Sequence, residues 1–340
     1  MKWPGLLLMM LLMGCAQVTS LNLTKHQFGV QPTKIIWFQV AGLDEEQMAL
    51  LRFQQSGEKR TALERNICIG KTWGYNLYQL RNPAEASFLS QMTGKKNIKH
   101  SCADAEIRPI WNYIAANGYN TGILESGANK TQSLSSFNQC GEAGLVFLSS
   151  LYYWSRSEGQ SGAQTFHYSE EVPANPNQIV YDRTCGSKSC GSSITEDFKA
   201  VYQSFRKVSS KHILIIRDFS YLAALENKEF QKAREILADL DRSYAEALKL
   251  SEQNSDYLIL LTTGEARYID MPDQGKNWYE FEKDSKHIQV KRTKLMNTVM
   301  ASGARAENFC GMYEEAQVFE RILSGPKQQG LELKIINPFK

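Results

Sequence analysis

Chemistry in this 340-residue chain would have to draw on seven cysteines, five histidines and its carboxylates. The histidines are His26, His100, His167, His212 and His287, and no two stand as His-x-His or His-x-x-x-His, the spacings that aim two imidazoles at one metal. No Gly-x-Ser-x-Gly elbow raises a serine nucleophile, and no glycine-rich loop ending in Lys-Ser or Lys-Thr cradles a phosphate. Isolated histidines of this kind are expected to be surface groups or satisfied polar residues. Cys185 and Cys190 bracket Gly-Ser-Lys-Ser, which suits a small disulfide-closed loop. Zinc is the rival, but the spacing of four and the lack of a nearby histidine disfavour it. With Cys68, Cys102, Cys140 and Cys310 they make six, an even count that in an oxidising compartment implies up to three disulfides with the pairing left open.

The seventh, Cys15, ends an apolar run, Leu6 to Met13, that follows Lys2 and closes as Leu12-Met13-Gly14-Cys15. The run is too short to span a bilayer and has the form of an export signal. Its ending resembles the lipobox of bacterial lipoproteins, although Met13 is a less usual residue in its slot. The resemblance implies a signal peptide over 1–14, a lipidated (palmitate-bearing) Cys15 and a tether over 15–33. Acyl chains at roughly 0.8 kcal/mol per buried CH₂ would then hold the chain to a membrane. Ala16 after the cysteine resembles lipoproteins sorted to the outer membrane, so the expected location is the bacterial cell envelope. A cleaved soluble export signal is the alternative.

The formal net charge of +3 is too small to suggest nucleic acid, and no basic run interleaves with aromatics. With 42% hydrophobic and 22% charged residues the chain can bury a full core. The elements that would position a site alternate between strand and helix. Lys34 to Ala41 is a nearly continuous apolar run, as in a strand covered on both faces, and Gly42 ends it. Pro83 to Thr93 is predicted to be a helix with a proline start and a Gly94 stop. Ile107 to Asn117 is a second helix stopped by Gly118, and Thr121 to Leu124 begins a strand. From 149 to 194 the chain is rich in Ser, Gly, Asn and Pro and is expected to be a surface excursion, with Phe166 to Tyr168 a candidate short strand. Thr195 is a candidate cap for a helix over Glu196 to Val208. His212 to Ile216 and Tyr257 to Thr262 are buried strands flanking a long helix over 228–253. Val299 to Gly303 is a strand, and Glu314 and Glu315 open a closing helix. Leu331 to Ile336 has the pattern of an edge strand.

The closing stretch resembles alkaline phosphatases. Gly303, Phe309, Gly311, Glu314 and the Val318-Phe319 pair keep the spacing with which that family ends, and the likeness extends over roughly 34–326 outside the excursion. It implies a three-layer α/β/α sandwich with a mostly parallel central sheet over 34–340. Relatives use zinc and magnesium, and a serine that becomes phosphorylated. Here the bridging Asp after the first strand is Ala41, and the Asp-Ser that opens the nucleophile helix is Pro83-Ala84. A ligand Glu is Arg217, and the ligands of the following loop are Leu222 and Glu226. The Asp-His pair after the next strand is Gly264-Glu265, and the last zinc His is Arg292. Ser133 keeps a hydroxyl, but the residue two before it is Thr131. The expectation is a degenerate member without catalytic or metal residues, acting as a binding or scaffolding protein toward an envelope protein or anionic ligand. A diverged phosphoester or sulfate-ester hydrolase with a relocated site is the alternative. Two arginines and two glutamates sum to zero, so Arg217, Arg292, Glu226 and Glu265 are expected to plug the former metal cavity. Otherwise Arg217 and Arg292 would grip an anion with their forked donors.

Overall fold

The computed structural model describes residues 31–52, 60–159, 161–186, 189–284 and 286–323. The signal over 1–14, Cys15, the tether up to residue 30 and the strand expected over Leu331 to Ile336 lie outside the described residues.

Apolar runs become strands because they are long enough to be covered on both faces. The strands are β1 (Lys34–Ala41), β2 (Cys68–Trp73), β3 (Asn120–Ser126), β4 (Leu151–Arg156), β5 (Thr165–Phe166) and β6 (Gln178–Asp182). They continue as β7 (His212–Asp218), β8 (Tyr257–Gly264), β9 (Tyr268–Asp270), β10 (Gln289–Lys291), β11 (Met296–Gly303) and β12 (Gly311–Glu314). Ten of them form one sheet in the order β12-β2-β11-β8-β1-β7-β3-β4-β6-β5, and β9 and β10 pair separately. Within the large sheet only β11 runs antiparallel to its neighbours, β8 and β2.

Alternate residues of β1 point to opposite faces, and each face has its own core. Ile36, Phe38 and Val40 pack with the helices α5 (Ile194–Val208) and α7 (Phe230–Gln253). Ile35 and Trp37 pack on the other face with α2 (Ala84–Thr93), α3 (Ile110–Ile114), α4 (Gly141–Phe147) and α9 (Gln317–Leu323). Three short or peripheral helices complete the set: α1 (Met48–Arg52), α6 (Ser220–Glu226) and α8 (Gly275–Asp284). This is the expected three-layer α/β/α sandwich. No helix among the described residues is long and apolar enough to cross a membrane.

Four local expectations differ from the structure. The stretch over 149–194 is no surface excursion: it supplies β4, β5 and β6, extending the sheet, with Trp154 fully buried. Its strands are short and lie among Ser- and Gly-rich turns, so the composition masks them. Ser193, not Thr195, caps α5, in a reciprocal box with Glu196, while the Thr195 hydroxyl donates to Asp239. Glu314 ends a strand that pairs with β2, and the closing helix begins only at Gln317. The helix after Pro109 is short, Ile110–Ile114, and tightens into a 3₁₀ turn before Gly118.

The six cysteines among the described residues are all paired, as Cys68–Cys310, Cys102–Cys140 and Cys185–Cys190.

Candidate functional site

In parallel sheets the groove at the carboxyl ends of the strands is where sites assemble. Here β1, β7 and β8 end side by side, since Val40 is in register with both Asp218 and Thr263. Ala41 and Gly264 pair across the last rung, and α2 and α6 begin just beyond.

The centre of this groove is filled by carbon. Ala41, Ala84, Phe88, Phe219 and Leu222 form one buried cluster, none more than 3% exposed. The Phe88 and Phe219 rings meet edge to face at 5.4 Å. Gly42 holds a left-handed φ of 83°, and a β-carbon on it would lie 3.0 Å from the Leu222 side chain. At Gly264 a β-carbon would lie 2.8 Å from the Phe88 ring, so the ring occupies the space a ligand side chain would need. Pro83 precedes the first turn of α2, whose Ala84 N–H donates to Glu265 Oε2 at 3.0 Å.

Charges form two separate groups around this cluster. In the first, Arg292 Nε lies 3.1 Å from Glu265 Oε1, and Arg267 Nη2 lies 2.9 Å from the same oxygen while also pairing with Glu226. Two guanidiniums and two carboxylates thus neutralise one another along the rim. Glu226 is 53% exposed, so its pair contributes little, whereas Glu265 is buried and held from three sides.

The second group is Arg217, which does not join the rim network expected for it. It is wholly buried and pairs with Glu125 at 2.5 Å. The reason is register: Glu125 on β3 stands directly opposite Arg217 on β7, and a buried guanidinium takes the nearest carboxylate. Glu125 also accepts from Tyr153 Oη at 2.6 Å, from Ser133 Oγ at 2.5 Å and from the Leu134 N–H at 3.2 Å. Burial and the Glu125 charge push the Tyr153 hydroxyl well above its ordinary pKa. Arg217 lies 5.3 Å over the Phe219 ring and 5.9 Å from that of Phe88. Its Nε and Nη2 find no hydrogen-bond partner among the described residues. The geometry does not match the alternative of an anion clamp between Arg217 and Arg292, because Arg217 has no exposure and pairs with Glu125 while Arg292 pairs with the Glu265 it shares with Arg267. Thr131 is exposed, and its N–H and hydroxyl both donate to Asn129 Oδ1.

Zinc and magnesium need several unengaged carboxylate or imidazole donors converging on one point. The centre of the groove offers methyl groups and phenyl rings, and the carboxylates around it are engaged, Glu265 by two arginines and a backbone N–H, Asp218 by the Ser220 hydroxyl and the Tyr221 N–H and Glu125 by Arg217, while Glu85 in the first turn of α2 lies within electrostatic reach of Arg217 and Arg292. The donor set does not fit either metal. Elsewhere among the described residues three potential metal-ligating side chains converge only at Asp182, Cys185 and Cys190, where both sulfurs are tied in the disulfide.

At the level of sequence, neither a comparison with protein-family models nor one with curated proteins finds a match. Among solved structures the chain is similar to the alkaline phosphatase of the Antarctic bacterium TAB5, with a TM-score of 0.66 at 12% identity, covering 86% of this chain and 97% of that one. Thermus thermophilus alkaline phosphatase gives a TM-score of 0.67 at 12% identity, over 89% and 93% of the two chains. This chain has the alkaline phosphatase-like fold. The cold-active Shewanella alkaline phosphatase aligns comparably, at 12% identity over 85% and 98%. On this alkaline phosphatase-like scaffold, Glu125, Arg267, Phe88 and Phe219 are the residues the sequence reading missed. Arg267 lies three residues beyond Gly264, close enough to have been weighed. The partnership of Glu125 with Arg217 depends on which strands adjoin.

Proposed function

We propose that this chain is a noncatalytic alkaline phosphatase-like protein, held at the cell envelope through Cys15 and acting as a binding or scaffolding protein. The observation that carries the reading is the apolar cluster of Ala41, Ala84, Phe88, Phe219 and Leu222 at the strand ends. Two-metal phosphoryl transfer needs cations about 3.5–4 Å apart with hard ligands, and a nucleophile with a lone pair. Alanine at 84 has none, and aromatic carbon stands where ligands would converge. The self-neutralised rim of Arg267, Arg292, Glu226 and Glu265 supports the same reading, since it leaves no stranded negative charge to attract a cation.

The test combines metal analysis of the purified chain with phosphomonoester, phosphodiester and sulfate-ester substrates. We expect no stoichiometric zinc or magnesium after dialysis and no turnover above background. Turnover abolished by a chelator and restored by zinc would favour a hydrolase with a relocated site.

A further inference from the structure

The loop from Gly74 to Asn82, joining β2 to α2, is held from inside yet turns its apolar side chains outward. Asn76, itself buried, accepts from the N–H groups of Tyr78 and Gln79 at 2.8 Å each. It donates to Asn82 Oδ1 at 2.6 Å and to the Ile98 carbonyl at 2.8 Å. The backbone closes the loop through Asn82 N–H to Gly74 O and Leu77 N–H to Lys96 O. The frame is thus defined, and what it presents is Leu77 at 70% exposure, Tyr78 at 52% and Leu80 at 62%. Three large apolar side chains within four residues, each more than half exposed, make an apolar tip, while Gly74, Arg81 and Asn82 at the ends of the loop line a small pocket.

The tip has a basic collar. Lys99 Nζ lies 4.1 Å over the Tyr78 ring and Lys96 Nζ 5.2 Å over that of Tyr75. Lys95 is exposed and Arg81 half-buried beside them. The acidic groups are fewer. Glu314 pairs with Lys96 at 2.9 Å and accepts from the Tyr75 hydroxyl, and Asp104 is buried, taking the N–H groups of Lys99 and Ser101.

We propose that this loop docks the chain against an anionic bilayer surface. Leu77, Tyr78 and Leu80 enter the boundary between headgroups and acyl chains, and Lys95, Lys99 and Arg81 meet the anionic headgroups. Apolar insertion with a surrounding cationic belt is what interfacial binding requires, and a lysine over a tyrosine ring lets both keep contact with the headgroup layer. A protein partner would call for a concave or flat face. The loop instead offers isolated side chains on a fixed turn. The inference is independent of whether the former phosphatase groove is catalytic.

The experiment uses the full chain as its Cys15→Ser variant, so that acylation contributes nothing, with vesicles of phosphatidylcholine alone or mixed with phosphatidylglycerol. We expect co-sedimentation with the phosphatidylglycerol vesicles that weakens as salt is raised. Leu77→Ser with Leu80→Ser should lower the partition coefficient by about tenfold or more. Lys95→Glu with Lys99→Glu should remove the preference for anionic lipid. Tyr78→Gln is measured as a second variant in case the leucine pair lowers the melting temperature. Equal partitioning of the parent and the loop variants would overturn the proposal, as would an absence of binding to anionic vesicles. So would loop variants that leave vesicle binding intact but dissolve a dimer on size exclusion, which would make the loop a contact between copies.

Discussion

Ala84 and Gly264 can be judged from their identities alone, because neither side chain can attack or ligate. Arg217 cannot be judged that way. A guanidinium in place of a carboxylate could seal a cavity or bind an anion, and its role depends on which carboxylate lies within reach. Breaking its pair should be costly. With Arg217 fully buried and two of its nitrogens already lacking hydrogen bonds, Glu125→Gln would leave an uncompensated buried charge. We expect a loss of about 3–5 kcal/mol by urea unfolding at neutral pH. Combining Glu125→Gln with Arg217→Met, which removes the charge as well, should recover part of that loss. A double variant as unstable as Glu125→Gln alone would show that the ion pair is not what the site depends on.

At the scale of elements, glycine stops and apolar runs placed α2 and strands β1, β7 and β8 correctly. Gly94 and Gly118, at left-handed φ values of 70° and 78°, end their helices as their positions suggested. The strand β4 was missed because a single six-residue strand between turn-rich segments has no periodicity of its own to detect. The cross-links act on elements far apart in sequence. Cys68–Cys310 ties the start of β2 to the loop before β12 over 242 residues, whereas Cys185–Cys190 spans 5. Chain-entropy reasoning assigns about 5 kcal/mol to the long link and about 2 to the short one. Replacing Cys68 and Cys310 by serine should therefore lower the denaturation midpoint clearly more than replacing Cys185 and Cys190. Equal shifts would mean that strain or residual structure in the unfolded chain outweighs loop length.

For the molecule as a whole, the scaffold of an alkaline phosphatase-like fold persists at 12% identity to solved structures because each layer needs only apolar side chains in the right alternation. The strand-end groove is filled by Ala41, Ala84, Phe88, Phe219 and Leu222. The lipid anchor proposed for the intact chain predicts that mass spectrometry of the mature protein finds acylated Cys15 as its first residue. The Cys15→Ser variant should shift out of the tightly held membrane fraction, retaining only salt-sensitive association. An unmodified N-terminus further along the chain would rule out the lipid anchor.

The strand and helix identities around the groove were legible in the residues themselves, whereas the layer order and the positions compared with nucleophile and metal sites came only from the likeness to alkaline phosphatases. Apolar runs and glycine stops are local signals, so the elements they mark need no knowledge of distant contacts. What fills the strand-end groove became readable only from the packed layers. Arg217 meets Glu125 because β7 lies beside β3, 92 residues away in the chain. Phe88, from α2, meets Phe219 and Leu222 because that helix starts over the ends of β1 and β8. Such encounters depend on strand order and on the volume left between packed layers, and neither is carried by any local stretch of residues.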